Sequence, residues 1–183
     1  MTTLSLQPHP GGPALADGIT VEWEWVDGDR LWLRYHLEVV LDDLAIPHPA
    51  AAPGRVDGLW RTTCCELFLR EPGERRYYEF NFSPSGDWAA YAFAGPRAGQ
   101  GALPLPRVPE INLDASDSHF ALEATVTLPD GLRGVAIDAA LSAVVAERSG
   151  RAAYWALRHP DAGKPDFHHP DCFVADLSPP FGP

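Results

Sequence analysis

Residues 64–83 read Cys-Cys-Glu-Leu-Phe-Leu-Arg-Glu-Pro-Gly-Glu-Arg-Arg-Tyr-Tyr-Glu-Phe-Asn-Phe-Ser. Both ends of this stretch alternate with period two. In 64–70, Cys65, Leu67 and Leu69 fall on one side, and Glu66, Phe68 and Arg70 on the other. In 77–83, Tyr78, Phe80 and Phe82 oppose Tyr77, Glu79, Asn81 and Ser83. Successive side chains of a strand point to opposite faces, so such alternation marks half-buried strands rather than helix. The Pro-Gly stretch 71–76 between them reads as a hairpin loop.

The same rhythm extends outward. In 31–41, Leu31, Leu33, Tyr35, Leu37, Val39 and Leu41 share a face, opposite Trp32, Arg34, His36 and Glu38. Residues 119–128 alternate Phe120, Leu122, Ala124, Val126 and Leu128 against Glu123, Thr125 and Thr127. Runs 20–26, 88–94 and 152–158 are further strands by their aromatic and branched content. Segment 135–147 fits both a helical stripe (Ile137, Leu141, Val144, Val145) and strict alternation, and its alanines favour helix. The Arg-Ser-Gly-Arg turn at 148–151 and the strand-like run after it favour a hairpin, so a strand is expected here.

Prolines (19) and glycines (16) are frequent and cluster in 8–13, 47–54, 95–109 and 178–183, where neither helix nor central strand can form. Many short strands between such breaks predict an all-β chain, a two-sheet antiparallel sandwich of jelly-roll-like character with little or no helix. The 183 residues fit a single domain spanning 1–183, with its core in about 20–177. Segment 95–109 is expected to be a long surface loop, because both flanks read as strands.

Asp and Glu number 25 against 14 Lys and Arg, a formal charge of -11. That field repels phosphate backbones and anionic lipid, so nucleic acid and membrane are not expected as partners. The N-terminal residues show no signal-peptide pattern, and the expectation is a cytoplasmic protein. The three cysteines, Cys64 and Cys65 adjacent and Cys172 apart, are expected to be free thiols.

Four groups of residues could carry function. If strands 31–38, 64–70 and 77–83 lie in one sheet, Trp32, Arg34, His36, Glu66, Phe68, Arg70, Tyr77, Glu79 and Asn81 share a face. Rings beside forked donors and carboxylates suit a sugar: flat rings match its C–H faces, and polar groups match its hydroxyls. An ordinary solvated sheet face gives the same pattern. Of the six tryptophans, Trp23, Trp25 and Trp155 sit within apolar alternation and read as core. Trp32, Trp60 and Trp88 stand beside polar residues or turns and are binding candidates. In 158–173, His159, Asp166, His168 and His169 are candidate metal ligands, although the spacing matches no strong zinc signature. Calcium held by Asp and loop carbonyls is a further option. No nucleophile elbow or phosphate loop is present: Ser83-Pro84-Ser85-Gly86 reads as a turn, and Cys64-Cys65 as buried. The expected role is therefore non-catalytic.

Four stretches taken together resemble the DOMON-like superfamily, and within it family 9 carbohydrate-binding modules. They are Leu59–Leu69, Tyr77–Gly86, Tyr154–Leu157 and Pro165–Phe173. The resemblance implies a two-sheet antiparallel sandwich that binds sugars in some members and haem in others. Glu66 and Phe68 match the family's Glu-hydrophobic-Phe strand, Asn81 and Gly86 its Asn-x-x-x-Gly, and His168 or His169 with Pro170 and Phe173 its terminal motif. Trp60, Trp88 and Arg97 stand as counterparts of the family's sugar-site tryptophans and charged side chains. Thr63 and Cys64 depart from the family's acidic residue before the Glu strand. The only methionine is Met1, so a Met/His haem is not expected, and a haem held by histidine alone stays open. The expected function is binding of a small molecule, a sugar first, through Trp32, Arg34, Trp60, Glu66, Arg70, Tyr77, Glu79, Asn81, Trp88, Arg97, His168 and His169. The alternatives are a haem or redox module and a metal-dependent enzyme built on the 159–172 segment.

Overall fold

The computed structural model describes residues 1–116, 118–161 and 163–179. Among them, in chain order, are strands β1 (Thr2–Ser5), β2 (Gln7–Pro8), β3 (Gly18–Trp25), β4 (Arg30–Glu38), β5 (Cys64–Arg70), β6 (Tyr77–Phe82) and β7 (Trp88–Phe93). They continue as β8 (Gly101–Ala102), β9 (Glu110–Ser116), β10 (His119–Thr127), β11 (Asp138–Ala146), β12 (Ala152–Ala156) and β13 (Ala175–Asp176). Two antiparallel sheets result. One has the order β1-β3-β4-β10-β9, the other β2-β12-β11-β5-β6-β7-β8 with β13 also paired to β11. The remaining regular elements of the described residues are short 3-10 turns, among them Leu59–Arg61 and Pro170–Cys172. No helix among the described residues is long and apolar enough to cross a membrane.

The alternation in the sequence explains the packing. Leu31, Leu33, Tyr35 and Leu37 of β4 and Phe120, Leu122, Ala124 and Val126 of β10 meet Cys65, Leu67 and Leu69 of β5, Phe80 and Phe82 of β6, and Leu141 and Val145 of β11. The Tyr35 hydroxyl donates to the Glu66 carbonyl at 2.7 Å, a polar tie across this otherwise apolar layer. The ambiguous segment 135–147 forms strand β11. Pairing with β5 on one side and β12 on the other satisfies its backbone, and its residues from Ala139 to Ala146 are all buried. That tertiary environment overrides the helical preference of alanine.

The alternation suggested that β4, β5 and β6 share a sheet. Strand β4 does not join β5 and β6. It lies in the five-stranded sheet between β3 and β10. Trp32, Arg34 and His36 therefore emerge on the outside of one sheet, and Glu66, Arg70, Tyr77, Glu79 and Asn81 on the outside of the other. Alternation fixes which residues of a strand share a face. It carries no information about which sheet that strand joins.

The outside of the larger sheet also carries a broad apolar area. Cys64, Phe68, Tyr77, Tyr91, Phe93 and Val144 form a second buried cluster under Leu59, Phe167, Cys172 and Phe173. Loops thus roof much of this face and leave an opening in it. The three cysteines are free and buried.

Candidate functional site

The opening is a cavity of about 250 Å³ lined by Trp60, Glu66, Glu79, Phe93, Arg97, Gln100, Val144, Tyr154, Pro165, Phe167 and His168. The sheet supplies its floor: Glu66 from β5, Glu79 from β6, Phe93 from β7, Val144 from β11 and Tyr154 from β12. Three connections supply the walls. The 3-10 turn before β5 brings Trp60, the loop after β7 brings Arg97 and Gln100, and the loop after β12 brings Pro165, Phe167 and His168. Trp60 is 39% exposed and packs edge-on against Tyr91, at a centroid distance of 6.2 Å.

Glu66 and Glu79 are only 3% and 4% exposed. Glu66 pairs across strands with Asn81, and Glu79 with Phe68, so the two carboxylates are diagonal neighbours on one face. Each is held by one hydrogen bond. The Ser142 hydroxyl donates to Glu66 Oε2 at 3.1 Å, and the Asn81 amide donates to Glu79 Oε1 at 2.7 Å. The Cys64 thiol lies 3.7 Å from Asn81 Oδ1. Burial raises the pKa of both glutamates, and the Glu79 charge raises that of Glu66 further.

His168 is locked beside them. Tyr77 Oη lies 2.7 Å from His168 Nδ1 and accepts from the Arg97 backbone N–H at 3.2 Å. A hydroxyl both donates and accepts, so Tyr77 bridges the Arg97 N–H and the His168 ring in either tautomer. Nε2 is 4.0 Å from Glu79 Oε2. Burial, then the nearby Arg97 charge, push the His168 pKa down to about 4, so the ring is neutral at pH 7. Phe68 and Phe93 pack edge-on against it at 5.3 and 5.2 Å. Arg97 has φ 53, a left-handed backbone that costs a residue with a Cβ about 1–2 kcal/mol. That turn directs its guanidinium to Asp166, with Nε and Nη2 donating to Oδ1 at 3.1 and 2.8 Å.

No family model matches the chain, and no curated protein does. A solved structure shares the fold. It is a protein from Bacteroides uniformis described as a candidate carbohydrate-binding protein, with a TM-score of 0.70 at 13% identity over 94% of this chain and 84% of that one. Two structures of a family 9 carbohydrate-binding module from Caldicellulosiruptor kristjanssonii also align. The glucose complex gives a TM-score of 0.45 at 13% identity over 86% of this chain and 76% of the module. The cellotriose complex gives 0.49 at 14% over 87% and 75%.

Of the residues singled out from sequence, Trp60, Glu66, Glu79, Arg97 and His168 line the cavity, while Tyr77 and Asn81 brace it from beneath. Arg70 lies further along the same face, 3.6 Å from Asp138 and over the Phe173 ring at 4.3 Å. It lines a neighbouring hollow instead. His169 caps the Pro170–Cys172 turn by accepting from the Asp171 N–H. Trp32 and Arg34 are on the far side of the molecule, Arg34 paired with Glu123 at 3.8 Å. Trp88 points inward: it belongs to the core between the sheets, 8% exposed, with Arg55 over its ring. As the first residue of β7 it has the parity of Ala90 and Ala92, which also face that core.

Phe93 and Tyr154 were missed, although parity could have found them. They alternate with the inward Ala92 and Trp155. Phe167, Pro165 and Gln100 sit in loops, where no periodicity marks direction.

The metal candidates do not assemble. His159 Nε2 lies 2.9 Å from the Gln7 carbonyl, Asp166 is paired with Arg97, His168 with Tyr77, and His169 with its own turn. Among the described residues no three His, Cys, Asp or Glu side chains converge on a common point. Haem does not fit the cavity either. Its one lining histidine is pinned at Nδ1 by Tyr77 and faces Glu79 at Nε2. The volume also falls below the roughly 300–1,000 Å³ of pockets for drug-sized ligands.

Proposed function

We propose that the chain is a non-catalytic binding protein, DOMON-like in kind, whose cavity takes one sugar ring. The observation that carries this reading is the composition of the cavity. Trp60, Phe93, Tyr154 and Phe167 offer aromatic surface around a floor of two carboxylates with Arg97 and Gln100 at the rim. A pyranose presents apolar C–H faces and a girdle of hydroxyls, and needs both kinds of partner in a partly dry site. The small volume suits a monosaccharide or the end of a longer chain. The Bacteroides uniformis fold neighbour, with its carbohydrate-binding description, points the same way.

Calorimetric titration of the full chain with a panel of mono- and oligosaccharides tests the proposal. At least one sugar should bind, and Trp60→Ala and Tyr154→Ala should each weaken it by about tenfold or more while the chain stays folded. Unchanged affinity in both variants, or no binding by any sugar, refutes it.

A further inference from the structure

Two carboxyl groups share the cavity floor, and among the described residues no Lys or Arg forms an ion pair with either. Glu66 and Glu79 are buried on its floor, and the protein occupies one oxygen of each: Glu66 Oε2 through Ser142 and Glu79 Oε1 through Asn81. Among the hydrogen bonds of the described residues, Glu66 Oε1 and Glu79 Oε2 receive none. The candidate counter-charges are both committed. Arg97 turns Nε and Nη2 to Asp166 and acts on the two glutamates only from a distance, lowering their pKa by less than burial raises it. His168 is held neutral, and its Nε2 stays 4.0 Å from Glu79. Two carboxylates taken out of water without a cation must either hold protons or await a charge from outside.

From this imbalance we infer that the ligand brings the missing cation: an amino sugar, a saccharide ring with a free ammonium group that sits between Glu66 and Glu79. This rests on the sugar-binding reading above. An ammonium has three donors and no acceptor, so it satisfies the two open carboxylate oxygens at once. A neutral hydroxyl in the same place would have to share the site with a protonated glutamate. The aromatic walls serve either ligand through the C–H faces of the ring, and they add cation–π attraction only for the charged one. Acetylation of the amine removes the charge and the donors that the floor calls for. On binding, protons held by the glutamates leave to solvent as the ammonium takes their place.

The test is isothermal titration of the full chain at pH 7 in two buffers of different ionisation enthalpy. The probes are D-glucosamine and D-galactosamine, each with its neutral parent and its N-acetyl derivative, together with methylammonium. An amino sugar should bind about tenfold or more tightly than its neutral and acetylated counterparts, the ratio expected of a charge-assisted hydrogen bond. Its binding should release protons. Glu79→Gln should shrink that ratio to near unity, with far-ultraviolet circular dichroism reporting that the variant is folded. Equal or tighter binding of the neutral sugars overturns this inference and leaves the sugar reading intact. Failure of every sugar overturns both. Binding of methylammonium with no sugar bound overturns the amino-sugar assignment as well.

Discussion

Tyr77 and Arg97 show how single residues hold the site. One hydroxyl joins the sheet to two loops: it hydrogen-bonds Nδ1 of His168 on one and accepts from the Arg97 N–H of the other. Arg97, whose N–H reaches that hydroxyl, has a left-handed backbone conformation, φ 53. Strain of this kind persists where surrounding contacts over-determine it. Replacement of Arg97 separates the strain from the ion pair. Both Arg97→Gly and Arg97→Ala lose the Asp166 contact, but glycine adopts the conformation freely. Urea unfolding should find the glycine variant more stable than the alanine variant by about 1 kcal/mol. An alanine variant as stable as the glycine one would show that this backbone is unstrained.

At the scale of strands, the parity of 64–70 and 77–83 was legible residue by residue, whereas the strand within 135–147 was legible only from the turn and strand-like run that follow it. Five of the cavity's lining residues had been marked from sequence alone. The residues that lie elsewhere do so for different reasons. Trp32 and Arg34 have the right pattern but belong to β4, which pairs with β3 and β10 rather than β5. Strand order is decided by contacts between segments far apart in the chain, and a local period cannot encode it. Trp88 failed differently, because its position beside a turn suggested exposure while its parity with Ala90 already pointed inward. Gln100 and Phe167 had no pattern to read. The bond between Tyr35 and the Glu66 carbonyl ties β4 to β5 across the interior, directly behind the site. Tyr35→Phe keeps the ring and removes that bond, leaving a buried carbonyl short of a donor. The expected cost is about 1–2 kcal/mol in denaturant unfolding. No loss would mean that the bond contributes nothing net.

Taken as a whole, the molecule pairs an acidic average, -11, with a floor of two buried glutamates. Their raised pKa values mean that the native state binds more protons than the unfolded chain over the range between ordinary and shifted values. Stability then falls as pH rises through that range. His168 acts oppositely, since its lowered pKa makes stability rise with pH, but only below its ordinary value near 6.5. Between about pH 6.5 and 8 the glutamates act alone among these three, and the ligand-free protein should lose melting temperature across that interval. Glu66→Gln should flatten the decline in a calorimetric scan. A wild-type melting temperature that rises over this interval, or a variant with the same slope, would contradict the assignment. Finally, β5 is buried on both sides: Cys65, Leu67 and Leu69 fill the interior while Glu66 and Phe68 underlie the cavity. Inserting or deleting a single residue there would swap the two sets, driving a carboxylate into the hydrocarbon layer and leaving leucines under the ligand. The roofing loops after β7 and β12 bear no such double duty. New specificities on this scaffold should therefore arise by lengthening or trimming the roof, while the floor changes only by substitution in place.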